Sequence, residues 1–252
     1  MTHNNLSGFL CINKPAGVRS YRIINYLKQF FPKGYKIGHA GTLDSFASGL
    51  MVIGFGKEAT KRLSLLLSAD KVYHAVGKAG VTTHTLDPLG SIIRQSTAFT
   101  TKSRVIQVLQ KLQPCYIQTP PFYSALKHKG QRLSDVAQKT CPLLQTDTQA
   151  LVEKKQRQVF IYSLKLLQIN LPYITLSTHV SHGTYIRSLM RDIGSLLSME
   201  MTTVQLTRIR VGPFTLAHAL LPDLSWQTIQ QKHCPILTFD KMMNSYSIHH
   251  YK

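Results

Sequence analysis

Residues 38 to 61, GHAGTLDSFASGLMVIGFGKEATK, constrain the chain most, because a loop shaped by its backbone runs there into a strand that must be buried. Gly38 and Gly41 can take positive-φ or crowded conformations, which lets the main chain approach a ligand closely. Asp44 follows them, and the small residues Ala47, Ser48 and Gly49 lead into LMVIGF, a short β-favouring run that reads as a buried strand. A carboxylate presented by a loop on a rigid strand is a candidate for chemistry. It is equally a candidate helix cap, since Asp is favoured at that position and SFAS follows it. Local pattern leaves the two readings even, and both can hold together.

Composition makes that carboxylate rarer. The chain of 252 residues carries 30 Lys and Arg against 11 Asp and Glu, a net charge of +19. Such an excess points to a polyanionic partner, nucleic acid first. The charge is spread along the sequence, so a basic face must be assembled by folding. No uninterrupted apolar segment is long enough to span a bilayer and no signal peptide is visible, so a cytoplasmic protein without membrane contact is expected. The length allows one large domain or two smaller ones. Cys11, Cys115, Cys141 and Cys234 lie far apart with no metal-binding spacing, which fits a reducing compartment. His179 and His182, three apart on an expected strand, would point to opposite faces, and no metal site is expected. GFGK at 54 to 57 lacks the spacing of a phosphate loop. No protein partner is evident, and a monomer is expected.

Taken in order, GFLCINKPAGVRS begins as a strand and ends in a Lys-Pro-Ala-Gly turn. Ser20 is then expected to cap a helix with Ile23, Ile24, Leu27, Phe30 and Phe31 on one face. EATKRLSLLLSADK reads as a short helix and KVYHAVGKAGVTT as a strand interrupted by glycines. On that strand Tyr73 is more often core packing than catalysis. From Pro88 to Ser134 there is no Asp or Glu, but Arg94, Lys102, Arg104, Lys111, Lys127, Lys129 and Arg132 are present. Within it SRVIQVLQKL suits an amphipathic helix. QTPPFYSALKHKGQRLSDVAQ interleaves aromatics with cations, as suits stacking on bases while holding phosphates. VFIYSLKLLQI and ITLSTHV read as strands, and HGTYIRSLMRDIGSLL as a helix burying Ile186, Leu189, Met190, Ile193, Leu196 and Leu197. Arg187 falls in its first turn, where the helix dipole disfavours a cation. That placement makes sense if Arg187 answers a carboxylate or phosphate; an ordinary surface arginine is the alternative. TTVQLTRIRVGPFTLAHAL gives a strand and turn, PDLSWQTIQQKH a possible helix, and the rest a short polar tail.

The string around Asp44 resembles the signature of the TruB family of tRNA pseudouridine synthases, GHxGTLDPxAxGxLxxxxGxATK, which contains the catalytic aspartate. It departs at Ser45, where the family usually has proline, and at Ser48, where threonine is common. Further family motifs follow in the same order: the K-P-x-G turn at Lys14, the tyrosine block at Tyr73, Q-x-P-P-x-Y-S-A-x-K-x-x-G around Lys127, G-T-Y-I-R at Tyr185 and Arg187, and L-x-R-x-x-V-G-P-F. His84 departs from the family, which has an aspartate there.

The resemblance implies an α+β pseudouridine synthase fold, with a mixed, largely antiparallel central sheet flanked by helices and loops. A catalytic domain over 1–225 would carry an RNA-gripping thumb insertion at about 113–150, and 226–252 would be a short C-terminal helix and tail. Too little chain remains there for the PUA domain common in the family. The implied reaction turns uridine into pseudouridine, at uridine 55 in the T arm of tRNA, with no cofactor or metal. Asp44 would start it, by attacking the nucleoside or removing a sugar proton. Arg187 would pair with Asp44, and Tyr73 would stack on the flipped base. His39, Gly38, Gly41, Lys14, Tyr185 and Lys127 would contact substrate or shape its loop. For His39 a bond within the loop is an equal reading, and for Lys14 a loop contact. A non-catalytic tRNA-binding or tRNA-folding protein, or a synthase acting on another RNA, are the competing readings.

Overall fold

The computed structural model describes residues 7–124, 127–128, 131–132, 153–220, 231 and 234–250; the side chains at 127, 128, 131, 132, 237 and 247–250 are not described. In chain order its main elements are β1 (Gly8–Lys14), α1 (Ser20–Lys28), β2 (Ile37–His39), β3 (Ser48–Phe55), α2 (Lys57–Ser68), β4 (Lys71–Ala79), β5 (Val81–Thr83), β6 (Ile92–Gln95), α3 (Lys102–Lys111) and β7 (Cys115–Gln118). Then come β8 (Lys127–His128), β9 (Gln131–Arg132), β10 (Arg157–Asn170), β11 (Tyr173–Val180), α4 (Ile186–Leu196), β12 (Met201–Val211), β13 (Phe214–Thr215), β14 (Cys234–Pro235) and α5 (Ile236–His250). The chain forms two compact units, one of residues 1–73 with 206–252, the other of residues 74–205.

The first unit is built on β3, whose residues from Gly49 to Phe55 are all buried. β1 runs antiparallel along one edge, from Gly8 opposite Phe55 to Lys14 opposite Gly49. The other edge is shared. β2 pairs antiparallel with Ile53 to Phe55, and β12 pairs parallel with Ser48 and Gly49. Residues 40–47 leave the sheet where the partner changes. Gly49 makes the parallel approach possible: its φ is +105°, and a Cβ there would lie 2.4 Å from the Arg208 carbonyl oxygen.

A core of Phe9, Leu50, Val52, Ala59, Leu63, Leu66, Val211 and Phe214 joins the sheet to α2, with Phe239 of α5 completing it. Phe239 is fully buried and stacks on Phe9 with centroids 3.9 Å apart. The end of the chain is therefore no polar tail. β14 pairs with β1, and α5 follows it. Pattern missed this helix because its apolar residues make no clear stripe and one phenylalanine does most of the packing. The helix expected over PDLSWQTIQQKH falls largely outside the described residues.

Two readings at the start of the unit are corrected. The N-cap of α1 is Arg19, without a side-chain cap bond, and the helix ends before Phe30 and Phe31. Ser20 instead donates to the Leu43 carbonyl (2.9 Å) and accepts from the Leu43 N–H (3.0 Å). Residues 45–48 form no helix, so Asp44 is not a helix cap; its carbonyl accepts from the Ala47 N–H in a turn before β3.

In the second unit β10 and β11 form a long antiparallel hairpin, with β7 antiparallel on the outer edge of β10. The order there is β4, β11, β10, β7. α3 buries Val105, Val108 and Leu109, and α4 buries Ile186, Leu189, Met190 and Ile193. Leu196, expected on the buried side, is 41% exposed because the helix ends there. The sheet is mixed and largely antiparallel, as expected, with β12 on β3 a parallel pairing. Among the described residues no helix is long and apolar enough to cross a membrane, and no cluster of three or more His, Cys, Asp or Glu could hold a metal ion.

Candidate active site

The loop carrying Asp44 is held from three directions within the first unit. Ser20 grips Leu43 through both of its backbone polar groups. The Lys14 ammonium donates to the carbonyls of Pro15 (2.9 Å), Val18 (2.7 Å) and Ser45 (3.4 Å), and the Gly17 N–H donates to the Ser45 carbonyl at 2.7 Å. Residues on both sides of Asp44 are thus fixed through their backbones while Asp44 itself is half-buried. Fixed neighbours aim a reactive group at little cost when the reaction begins.

Lys14 is fully buried, and its bonds to the three carbonyls make it a loop contact. Burial lowers its pKa from 10.5 to about 8, the Asp44 carboxylate opposing the fall and the Arg208 charge adding to it. Tyr73, 8% exposed, is raised by burial, against which Arg208 acts through charge and a side-chain hydrogen bond, while the Asp44 charge raises it further. Its ring therefore stays a neutral phenol at physiological pH. His39 is lowered by burial and then by Arg208, with the Gly41 backbone opposing them, which on balance favours the neutral imidazole; its buried Nδ1 makes no hydrogen bond of good geometry among the described residues. Gly41 takes φ +96° at the turn into the loop. Gly38 has a different job: a Cβ there would come within 3.0 Å of Leu63, so its bareness seats β2 on α2.

The residue at the centre of this group does not stand out from the sequence. Arg208 is 1% exposed and donates to the carbonyls of Leu50 (2.7 Å) and Gly41 (3.1 Å), joining β3 to the loop. Lys71 is equally inconspicuous. Its ammonium donates to the carbonyls of Leu66 (3.3 Å), Leu67 (3.1 Å) and Ala69 (2.6 Å) at the end of α2, and burial, with Arg208 adding to it, lowers its pKa to about 8. The signal for Arg208 is the L-x-R of the strand motif.

Arg187 lies in the second unit, in the first turn of α4 as expected, and is buried rather than at the surface. Its guanidinium donates to the carbonyls of Thr85 (2.7 Å) and Tyr123 (2.9 Å) and lies 3.6 Å from the Asp87 carboxylate. Asp87 is held in turn by the Thr85 hydroxyl (2.6 Å) and the Leu89 N–H (3.0 Å). The cation at the wrong end of a helix dipole thus has a carboxylate to answer. His84, where the family has aspartate, accepts the Ser91 N–H on Nδ1 at 3.0 Å. Tyr185 precedes α4, its backbone bonded on both sides to Gln118 and its ring under the Arg157 guanidinium at 5.1 Å. Lys127 lies on the β8–β9 hairpin opposite Arg132; most of the expected thumb, including Lys129, falls outside the described residues.

Asp44, Tyr73, His39, Gly41 and Lys14 therefore gather in one unit, around Arg208. A family model described as TruB family pseudouridylate synthase, N-terminal domain, matches residues 28–186. The chain belongs to the TruB family. It is 36% identical over 242 residues to tRNA pseudouridine synthase B of Clostridium kluyveri, covering 96% of this chain and 79% of that one. It is 38% identical over 229 residues to the enzyme of the same name from Francisella tularensis, covering 88% and 72%. Among solved structures, a Cbf5-Nop10-Gar1 complex contains a chain similar to this TruB-family fold with a TM-score of 0.63 at 23% identity, covering 95% of this chain and 59% of the other. An H/ACA ribonucleoprotein bound to a substrate RNA contains one with a TM-score of 0.62 at 20% identity, covering 94% and 58%. At these identities the likeness is one of fold, and it confirms the pseudouridine synthase architecture.

Proposed function

We propose that this TruB-family protein isomerises uridine to pseudouridine in tRNA, at uridine 55 of the T arm, acting alone in the cytoplasm. The observation that carries the reading is Asp44, half-buried on a clamped loop in the same unit as the buried Tyr73 and Arg208. The reaction breaks the bond from N1 to C1′, turns the uracil, joins C5 to C1′, and moves the C5 proton away while N1 gains one. Atoms and electrons balance within the substrate and water. The base must first leave its stack, at a cost of a few kcal/mol.

Asp44 begins the reaction, by attack on the nucleoside or by removing a sugar proton. Tyr73, neutral and buried, offers the uracil a ring face, and Arg208 keeps that ring and the loop in register. His39, neutral, stands on β2 before the loop. The reading of Arg187 as the partner of Asp44 is tested by a double-mutant cycle: Asp44→Asn and Arg187→Met should show strong non-additivity in the single-turnover rate.

The deciding experiment compares wild type with Asp44→Ala on a tRNA transcript. Pseudouridine should appear at position 55 with wild type and be lost in the variant, while RNA affinity stays within about threefold, since the carboxylate adds nothing to phosphate binding. A variant that still makes pseudouridine refutes the assignment. Modification at a different position, with position 55 untouched, would keep the chemistry and reject the substrate.

A further inference from the structure

Between the end of α1 and the start of β2 the chain surrounds a depression of about 440 Å³, lined by Lys28, Phe31, Lys33, Tyr35, Lys36 and Ile37 among others. Its size falls within the range of ligand pockets, about 300 to 1,000 Å³. The wall is preorganised. Pro32 to Tyr35 form a turn closed by the Tyr35 N–H on the Pro32 carbonyl at 3.0 Å, with Gly34 at φ +86° in the position that requires it. Beyond the turn the Tyr35 and Phe31 rings stack, centroids 4.8 Å apart and planes at 18°, and Phe31 also leans on Phe55 of β3 at 5.6 Å. The Lys36 carbonyl accepts the Gly56 N–H at 2.8 Å, tying the depression to the far end of β3.

The electrostatics are one-sided. Lys28, Lys33 and Lys36 are exposed, none has a carboxylate within ion-pair distance among the described residues, and residues 1–43 contain no Asp or Glu. Lysines around a stacked aromatic pair form the combination that holds a phosphate while a base lies on a ring. The place is distant from the chemistry. β3 spans about 25 Å at the usual strand rise, with the Asp44 loop before its first residue and this depression at its last.

We propose that this depression is an RNA subsite, binding the phosphate and base of a nucleotide several positions removed from the uridine that reacts. It rests on the reading of the protein as an RNA-modifying enzyme and adds a second point of grip, in the same unit as Asp44. Because it sits a strand-length away, it acts on affinity and register and leaves the chemical step alone.

The test uses the full chain and a tRNA transcript, with Lys28→Ala/Lys33→Ala/Lys36→Ala, Tyr35→Ala and Tyr35→Phe. The triple variant should bind RNA at least tenfold more weakly, with the slope of log affinity against log salt shallower by about one for each phosphate that is no longer neutralised. Tyr35→Ala should bind about tenfold more weakly with the slope unchanged, and Tyr35→Phe, which keeps the ring, should match wild type. Single-turnover rates at saturating RNA should stay within about twofold of wild type for all three. Wild-type affinity in both the triple variant and Tyr35→Ala overturns the subsite, as does a fall in the saturated rate at unchanged affinity. Uridine 5′-monophosphate, titrated alone, should bind no more tightly than millimolar; micromolar binding would assign the depression to a free nucleotide and overturn the RNA source. If wild type makes no pseudouridine yet the substitutions weaken RNA binding, the enzymatic reading fails and the subsite stands. If pseudouridine forms and the variants bind like wild type, the subsite alone fails.

Discussion

Among the described residues each unit buries one arginine, and the two are used differently. Arg187 lies beside the Asp87 carboxylate and donates to the backbone carbonyls of Thr85 and Tyr123. Arg208 spans two carbonyls, and among the described residues no carboxylate lies within ion-pair distance of it. Its charge is felt instead by Lys14, His39, Lys71 and Tyr73, each of which it pushes toward the less protonated state. A guanidinium with its own counter-ion mainly orders its neighbourhood. One without adjusts the titration of the groups around it, where burial is still the larger influence.

The difference can be broken from either side. Asp87→Ala removes the carboxylate 3.6 Å from the buried Arg187 guanidinium, and should cost about 3–5 kcal/mol of unfolding free energy in urea titrations. A loss below about 1 kcal/mol would mean that Arg187 does not depend on Asp87. Arg208→Met removes the charge itself and takes a donor from two carbonyls and the Tyr73 hydroxyl, leaving no buried charge behind, so the loss should be smaller, about 1–3 kcal/mol. Its larger effect should be on chemistry, a fall of about a hundredfold in single-turnover rate, about 2.7 kcal/mol, at nearly unchanged RNA affinity. Arg208→Lys should recover stability better than rate, because one ammonium cannot reach both carbonyls in the planar geometry of the guanidinium.

The buried lysines sharpen the same contrast through pH. Lys14 and Lys71 have folded pKa values near 8 against 10.5 when exposed, so between those values the unfolded chain binds more protons than the folded one. Stability should therefore rise with pH from about 8 toward 10.5, by at most about 1.4 kcal/mol per pH unit for each lysine. Urea midpoints measured at about pH 7, 8.5 and 10 check the sign, and Arg208→Met should flatten the rise by moving both lysines back toward 10.5. The smallest effect should come from Ser20→Ala, which costs about 1 kcal/mol for the missing Leu43 bonds. Activity should drop several-fold, measured as the single-turnover rate on the tRNA transcript.

Much of this is legible in the sequence, for reasons that differ by residue. Strands such as β3 and β10 and the helices α2, α3 and α4 carry their periodicity in short windows, and pattern places them well. Asp44, Tyr73 and Arg187 stand out through their motifs. Ser20 misleads because a serine before a helix has a favoured local use, and only the fold reveals that a distant backbone has claimed its hydroxyl. Arg208 and Lys71 are hidden because their importance comes from burial, which a cation within a strand does not advertise. The chain end is hidden for the opposite reason, since a single phenylalanine anchors α5 in an otherwise mixed segment.

The shared edge of β3 also has a consequence for synthesis on the ribosome. Its β2 partner emerges just before it, but Arg208, which secures the same edge, follows Leu50 by 158 positions. A nascent chain can pair β1, β2 and β3 early and still lack the tie between the loop and the sheet. The loop reaches its working shape only once β12 has been made, so fragments truncated before β12 should be inert however well their early strands have formed.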